Sequence, residues 1–383
     1  MNIKRISILL LSAVLILGSL TGCAEDERIY YNDGDDIHPA YNQLAEETRE
    51  LYTTMYGMLI NGQMTLTIED WDYDSITAAY TAIVKDHPEL FWLNEGCTIE
   101  TSSEEDSYSY GTTSVITPML NFDLGEISEK NSTFRSILNP LIEEAKTFAS
   151  TYEKVLYVHD YLVNNTEYDS DEAAIIAANE NGEGGVSSEA ATAYGCIVNK
   201  KAVCSGYSAA FQAMMNMLDI KCGRIAGSDL AGNSHEWNYV YIQGEYYFVD
   251  VTWDDPSTEN GTSVLSHEYL LVTEDEILKT HRIDGGQYYP DCQYSDMNYH
   301  NYNNLYVDEY TFDAVSAIIN RETAEGNTAV EIKFGSVAEQ RKAFSELIED
   351  RRIFEFDAFK SGVSYTVSSS ETVLIFTAAA NAQ

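Results

Sequence analysis

From Tyr41 the positions Leu44, Ala45, Thr48, Tyr52, Met55, Tyr56 and Leu59 recur at the spacing of a helix with one buried face. Asn61-Gly62 stops that pattern, and "QMTLTI" then alternates as a strand does. A second helix is predicted from Ser75 to Lys85, ending before His87-Pro88, with strands near Thr98 and across "TSVITPMLNF". Helical spacing returns from about Pro140 to Val163, and the polar stretch from Asn164 to Ser188 reads as a loop. A helix opening near Ser205 gathers Tyr207, Ala210, Phe211, Met214, Met215 and Leu218 on one face. Two strands follow, "HEWNYVYI" and "YYFVDVTW", on either side of Gln243-Gly244-Glu245. Near the end, Val330, Ile332 and Phe334 alternate, and Ser336 with Glu339 makes a capping-box pattern before a helix carrying Phe344, Leu347 and Ile348. Two more strands are expected around Tyr365 and Ile375.

This pattern divides the chain into a leader (1–22), an acidic, turn-rich tether (23–39) and a small α+β N-terminal region (40–138). A core follows (139–286), then a Tyr/Asn-rich strap (287–312) and a small α/β C-terminal region (313–383). The aromatic strap could stack on sugars, but packing across a domain is the more common use of such a stretch. No internal repeat is visible.

Charge narrows the partners. The 383 residues hold 62 Asp and Glu against 22 Lys and Arg, a formal charge of −40. Phosphate binding depends on Lys and Arg, so this balance excludes a nucleic-acid partner. The start of the chain points outward from the cytoplasm. Met1-Asn2-Ile3-Lys4-Arg5 precedes the apolar "ISILLLSAVLILGSL" and then Leu20-Thr21-Gly22-Cys23. A positive start, a short apolar stretch and small residues before a cut describe a secretory signal. Leu-Thr-Gly-Cys resembles the lipobox of bacterial lipoproteins, which implies acylation at Cys23 and a body held to the membrane by an N-terminal lipid, outside the cytoplasm. No later stretch approaches the roughly 20 apolar residues of a membrane helix.

Cys97, Cys196, Cys204, Cys222 and Cys292 remain, an odd number that leaves one thiol free even if others pair. Cys204 opens the predicted helix, where unpaired N–H groups and the helix dipole favour a thiolate. It also lies on the buried stripe with Tyr207 and Phe211, and taken alone the segment favours a small core residue. The two strands change that balance. With Gln243-Gly244 as a two-residue turn, Ile242 faces Glu245, Trp237 faces Asp250 and His235 faces Thr252. His235 and Asp250 are then diagonal neighbours on one face, whereas a three-residue turn would separate them. An aspartate beside a histidine fixes its tautomer and stabilises the imidazolium, which in turn stabilises a thiolate.

"AVCSGYSAAF", then "HEWNYV", then "YYFVDVTWDDP" resembles the core of the transglutaminase-like superfamily, with the three motifs in order. "EKVLYVHDYLVNNTEYD" and "YGCIVNKKAVC" resemble its bacterial, lipoprotein-associated branch, and "DHPELFW" fits that branch loosely. The resemblance implies an α+β, papain-like core in which a Cys-bearing helix packs on an antiparallel sheet bearing His and Asp. It implies Cys204 as nucleophile, His235 as its acid–base partner and Asp250 as the residue orienting His235. The Cys204 N–H is the first oxyanion donor, and Tyr194 is a candidate second. Trp237 and Asn238 are expected to shape the strand, and Cys196 and Cys222 to be structural.

The implied enzyme is an exported, lipid-anchored cysteine hydrolase or acyltransferase acting on amide bonds of protein or peptide substrates, cell-wall stem peptides among them. Hydrolysis is favoured over transamidation. A binding or scaffolding lipoprotein of the same fold is the alternative, and the three intact residues argue against it. No cofactor or metal is expected. "HEWNY" and "HEYLL" lack the second histidine of H-E-x-x-H, and His159, His267 and His281 show no ligand-like arrangement. C-x-x-C, G-x-S-x-G, phosphate-loop and EF-hand patterns are absent from the sequence. Oligomeric state is left open.

Overall fold

The computed structural model of the chain describes residues 7–9, 31–105, 110–179, 188–255, 265–368 and 370–379. Cys23, the expected lipidation residue, and most of the expected leader lie outside the described residues. Among the described residues no helix is long and apolar enough to cross a membrane.

The N-terminal region comprises β1 (Ser7–Leu9), α1 (Pro39–Gln43), α2 (Glu46–Ile60), β2 (Leu66–Glu69), α3 (Tyr73–Asp86), β3 (Leu93–Glu105) and β4 (Tyr110–Leu120). Its strands form one antiparallel sheet in the order β1-β3-β4-β2. The helix expected from Tyr41 is split, because Leu44 and Ala45 are extended. Its buried stripe, Leu51, Tyr52, Met55 and Leu59, therefore belongs to α2. Helix α3 begins two residues before Ser75, where the Asp72 carboxylate accepts the Ser75 N–H.

Two expectations need correction downstream. The single helix from Pro140 to Val163 is two helices, α4 (Ile127–Ala145) and α5 (Thr151–Asn165). Pro140 lies inside α4, whose stripe Phe134, Leu138, Ile142 and Ala145 begins in a polar stretch that gave little warning. A reciprocal capping box between Ser150 and Glu153 starts α5 afresh. The stretch read as a loop contains β5 (Glu167–Tyr168) and α6 (Ser170–Asn179), the latter built on "AAIIAA". β5 pairs in parallel with β6 (Lys201–Ala202), setting Tyr168 opposite Ala202.

Helix α7 (Cys204–Met217) follows β6 after one residue. It packs on an antiparallel sheet of β7 (Cys222–Asp229), β8 (Ser234–Ile242), β9 (Glu245–Val249), β10 (Leu270–Val272) and β11 (His281–Ile283), ordered β10-β9-β8-β7-β11. Gln243 and Gly244 both take positive φ, 53° and 101°, as the two-residue hairpin turn requires. Ile242 pairs with Glu245 and Asn238 with Val249, the register expected from the sequence. One face of the sheet shares a core with α7 and the N-terminal region, through Phe211, Met214, Val240, Ile242, Leu51 and Ile83. Ile225, Trp237, Tyr239, Phe248 and Tyr269 form a separate cluster.

Beyond α8 (Glu274–Ile277) and α9 (Tyr299–Tyr302), the chain forms β12 (Tyr306–Val307), α10 (Phe312–Ala324), β13 (Ala329–Phe334), α11 (Val337–Phe344), β14 (Val363–Val367) and β15 (Val373–Ala378). These make a sheet ordered β12-β13-β15-β14 with its own core around Val315, Ile319, Ile332, Phe334 and Phe376. Within the Tyr-rich segment, Tyr289, Cys292, Asn298 and His300 are buried while Tyr294, Tyr302 and Tyr306 face outward.

The start of α7 depends on Gly206. A Cβ there would lie 2.2 Å from the Ala190 carbonyl oxygen and 2.9 Å from the Ala202 Cβ. The carbonyl is backbone and cannot swing aside. We expect Gly206→Ala to lower the free energy of unfolding by about 1–3 kcal/mol, read from urea unfolding curves.

Candidate active site

Cys204 is the first residue of α7, preceded by an extended Val203 that offers no side-chain cap. The helix start is held from three sides. Val203 N–H donates to the Ala190 carbonyl at 3.0 Å, Tyr207 Oη donates to Asp255 Oδ2 at 2.6 Å, and Asn238 Nδ2 donates to the Ser208 carbonyl at 3.0 Å. Asn238 also donates to the Gly223 carbonyl at 3.3 Å, so it ties β8 to both α7 and β7. None of the five described cysteines is in a disulfide, and among them Cys204 alone is partly exposed. Burial drives the thiols of Cys196 up to about 12 and of Cys97 up to about 11, and that of Cys222 higher still, which leaves them protonated and inert.

His235, one residue into β8, has Nε2 2.6 Å from Asp250 Oδ2, just past the end of β9. The Asp250 contact leaves Nδ1 free of that carboxylate, and Cys204 is the next group that favours a charge on the ring. Burial opposes a charge on this ring, but the Asp250 carboxylate and then Cys204 outweigh it and raise His235 to about 10. Asp250 is 1 % exposed. Burial alone would push its carboxyl up, yet His235 and His281 hold it well below the usual carboxylate range. Its Oδ1 accepts the N–H groups of Thr252 and Trp253 at 3.0 and 3.2 Å.

Sequence reasoning missed two neighbours. His281, fully buried on β11, brings Nε2 to 3.0 Å from the same Asp250 Oδ2, and its ring packs against those of His235, Trp237 and Trp253. It is brought in by the pairing of β11 with β7, a contact between segments far apart in the chain. Tyr168 is the second. The β5–β6 pairing sets it beside the strand that leads into Cys204. Burial, with the charges of Cys204 and Asp250, pushes its hydroxyl up to about 12, so it stays an O–H donor. "NNTEYD", which ends immediately before α6, was the available signal.

Tyr194 is elsewhere. Its ring packs on Phe91 and Phe122, with centroids 4.9 and 5.6 Å away, and Lys130 lies over it. These contacts make it part of an aromatic cluster with Phe91 and Phe122, and they lend no support to the oxyanion role expected of it. Nor do the histidines stand apart, as the sequence suggested. His235 and His281 flank Asp250, and His159 and His267 flank Asp160.

Residues 140–251 match the family described as transglutaminase-like superfamily. This segment is a transglutaminase-like domain. The kyphoscoliosis peptidases of Mus musculus and Homo sapiens are each 26% identical to the chain over 167 residues, which is 40% of this chain and 24% of theirs. The chain thus spans about a quarter of the length of these curated relatives. A crystal structure of a TGase is 17% identical, with 61% of this chain and 56% of that chain covered and a TM-score of 0.29, a likeness too distant to carry an argument. The matched segment ends one residue after Asp250, so it contains Cys204, His235 and Asp250 and stops short of His281.

The Asp250 charge raises His235, so His235 keeps its proton up to about pH 10 and loses it above. In Asp250→Asn the charge is gone and burial still opposes the imidazolium. NMR titration of His235 should show the midpoint lowered by at least about one unit.

Proposed function

We propose that the chain is a cysteine enzyme that cleaves amide bonds through a thioester on Cys204. The observation carrying this reading is a partly exposed Cys204 at the start of α7 together with His235, whose charge Cys204 favours and whose Nε2 is held 2.6 Å from a buried Asp250. In the proposed reaction the Cys204 thiolate attacks the amide carbonyl carbon, and a tetrahedral oxyanion forms. Two donors can meet it: the Cys204 N–H, among the helix-start donors that no helical carbonyl satisfies, and the Tyr168 hydroxyl. Collapse breaks the C–N bond, and the leaving amine takes the His235 proton. Neutral His235 then accepts a proton from water as that water attacks the thioester, releasing a carboxylic acid and restoring the thiolate–imidazolium pair. Asp250 stays ionised throughout and stabilises the charged ring.

The acceptor that resolves the thioester separates hydrolysis from transamidation, and the steps before it are common to both. Hydrolysis is the reading we favour, supported by the word peptidase in the names of the curated relatives. We further propose that the protein is exported and lipid-anchored through Cys23, on the basis of "LTGC" after the apolar leader. Peptide substrates outside the cytoplasm, cell-wall stem peptides included, are the proposed partners.

At about pH 6 iodoacetamide should label Cys204 at least about tenfold faster in the wild type than in His235→Ala, read by peptide mass spectrometry. A peptide library should be hydrolysed by the wild type, with turnover falling by at least about a thousandfold in Cys204→Ala. Equal labelling in the two proteins, or turnover that survives Cys204→Ala, overturns the proposal. For the anchor, metabolic labelling with an alkyne fatty acid should mark the wild type and leave Cys23→Ser unmarked.

A further inference from the structure

A second group of histidines lies outside the candidate active site, on the side facing the C-terminal sheet. His159 and Asp160 are adjacent on α5, and His267 lies between the catalytic sheet's β9 and β10. His159 Nδ1 is 2.9 Å and His267 Nε2 3.1 Å from the same oxygen, Asp160 Oδ1. The three donor atoms lie within 4.8 Å of one another. The geometry points to a binding site for one divalent transition-metal ion, of the zinc class, held by His159 Nδ1, Asp160 and His267 Nε2.

Three features favour an ion over a plain salt-bridge knot. First, both histidines are oriented from behind by buried carboxylates. His159 Nε2 lies 3.1 Å from Asp254 Oδ2, and His267 Nδ1 lies 2.8 Å from Glu331 Oε2. A carboxylate on the outer nitrogen fixes the tautomer and makes the inner nitrogen a better ligand, the usual support of a metal-bound imidazole. Second, the spacing is close to what an ion needs. Tetrahedral zinc at about 2.0–2.1 Å from each donor holds its ligands about 3.3 Å apart, so the two contacts to Asp160 need open by only a few tenths of an ångström, while the two imidazole nitrogens lie within 4.8 Å of each other.

Third, there is a way in. The histidine side chains are 0 % and 7 % exposed, but that of Asp160 is 32 % exposed. A cleft of about 490 Å³ also reaches His267, whose ring stacks on Tyr299 at 3.7 Å. Two imidazole nitrogens and one carboxylate suit zinc and its first-row neighbours better than calcium or magnesium. With no ion present, each inner nitrogen donates a proton to Asp160. One divalent ion replacing two such protons leaves the net charge of the cluster unchanged.

The supporting groups come from different parts of the fold. Asp254 follows Asp250 by four residues, and its N–H donates to the Asp250 carbonyl at 3.3 Å. Glu331 lies on β13 of the C-terminal sheet and is shared with His300, whose Nε2 is 2.9 Å from Oε1. A bound ion would therefore fasten the C-terminal unit and the Asp250 loop to α5.

The test strips the purified protein with EDTA and titrates Zn²⁺ against a chromophoric chelator, then Co²⁺ followed by visible absorbance. Wild type should take up one equivalent. Cys204→Ala, which disables the thiol site as a competing ligand, should take up the same amount. Asp160→Asn and His267→Gln should each weaken binding by at least about tenfold. Absence of stoichiometric uptake overturns the proposal, as does uptake lost in Cys204→Ala and kept in Asp160→Asn. Should both ligand variants fail to fold, the cobalt spectrum of the wild type decides. A thiolate-to-metal charge-transfer band would put the ion on Cys204 and refute the site, whereas d–d bands without it support nitrogen and oxygen ligands.

Discussion

A single buried carboxylate organises the centre of this molecule. Asp250 is nearly inaccessible to water, and a charge in that position is costly unless hydrogen bonds and an opposite charge compensate for it. Here four donors do so: two backbone N–H groups at Oδ1 and two imidazoles at Oδ2. Removing any one leaves the rest of the charge undersatisfied. That dependence sets the positions of β8, β11 and the loop after β9 relative to one another. Cys204 gains its partner only because His235 is already committed to Asp250.

The loop itself repeats the device at short intervals. Asp250 engages His235 and His281, Asp254 engages His159 and two hydrogen bonds from the Tyr269 N–H, and Asp255 accepts from Tyr207 on α7. One acidic turn therefore joins the sheet, α5 and α7. The acidity of the chain bears on this. With 62 acidic side chains and 22 Lys and Arg, cationic partners for buried carboxylates are few. Six of the seven histidines are buried, and each lies against a carboxylate. Histidine serves this protein as the interior hydrogen-bond partner of its carboxylates, with two nitrogens that can be aimed separately.

What could be read in the sequence was what local geometry controls. The β8–β9 hairpin was legible because a two-residue turn sets every pairing along it, and His235 and Asp250 lie just beyond the last pair, Asn238 with Val249. Cys204 was legible as a helix start through its spacing to Tyr207 and Phe211. His281, Asp254 with His159, and Glu331 with His267 were not, since strand pairings and packing between distant segments create those contacts. The packing of Tyr194 on Phe91 and Phe122 was not legible either, because it joins segments about 70 to 100 residues apart in the chain. Helix α6 was hidden by averaging polarity over a long stretch in which "AAIIAA" is the apolar part.

The fold uses one motif twice, an aspartate oxygen between two imidazoles, and the outer nitrogens separate the two uses. Around Asp250 the outer nitrogen of His235 faces a thiol, and that of His281 faces the Thr280 hydroxyl at 2.9 Å and the Ile277 carbonyl at 3.3 Å. A proton on His235 can therefore be handed to a reacting group, because the thiol side is open to chemistry. Around Asp160 both outer nitrogens face buried carboxylates, Asp254 and Glu331. No thiol stands among these groups, so the second copy is suited to holding charge in place. The same aspartate with two histidines thus fits the proposed proton relay in one setting and the proposed cation site in the other, and the groups behind the histidines make the difference.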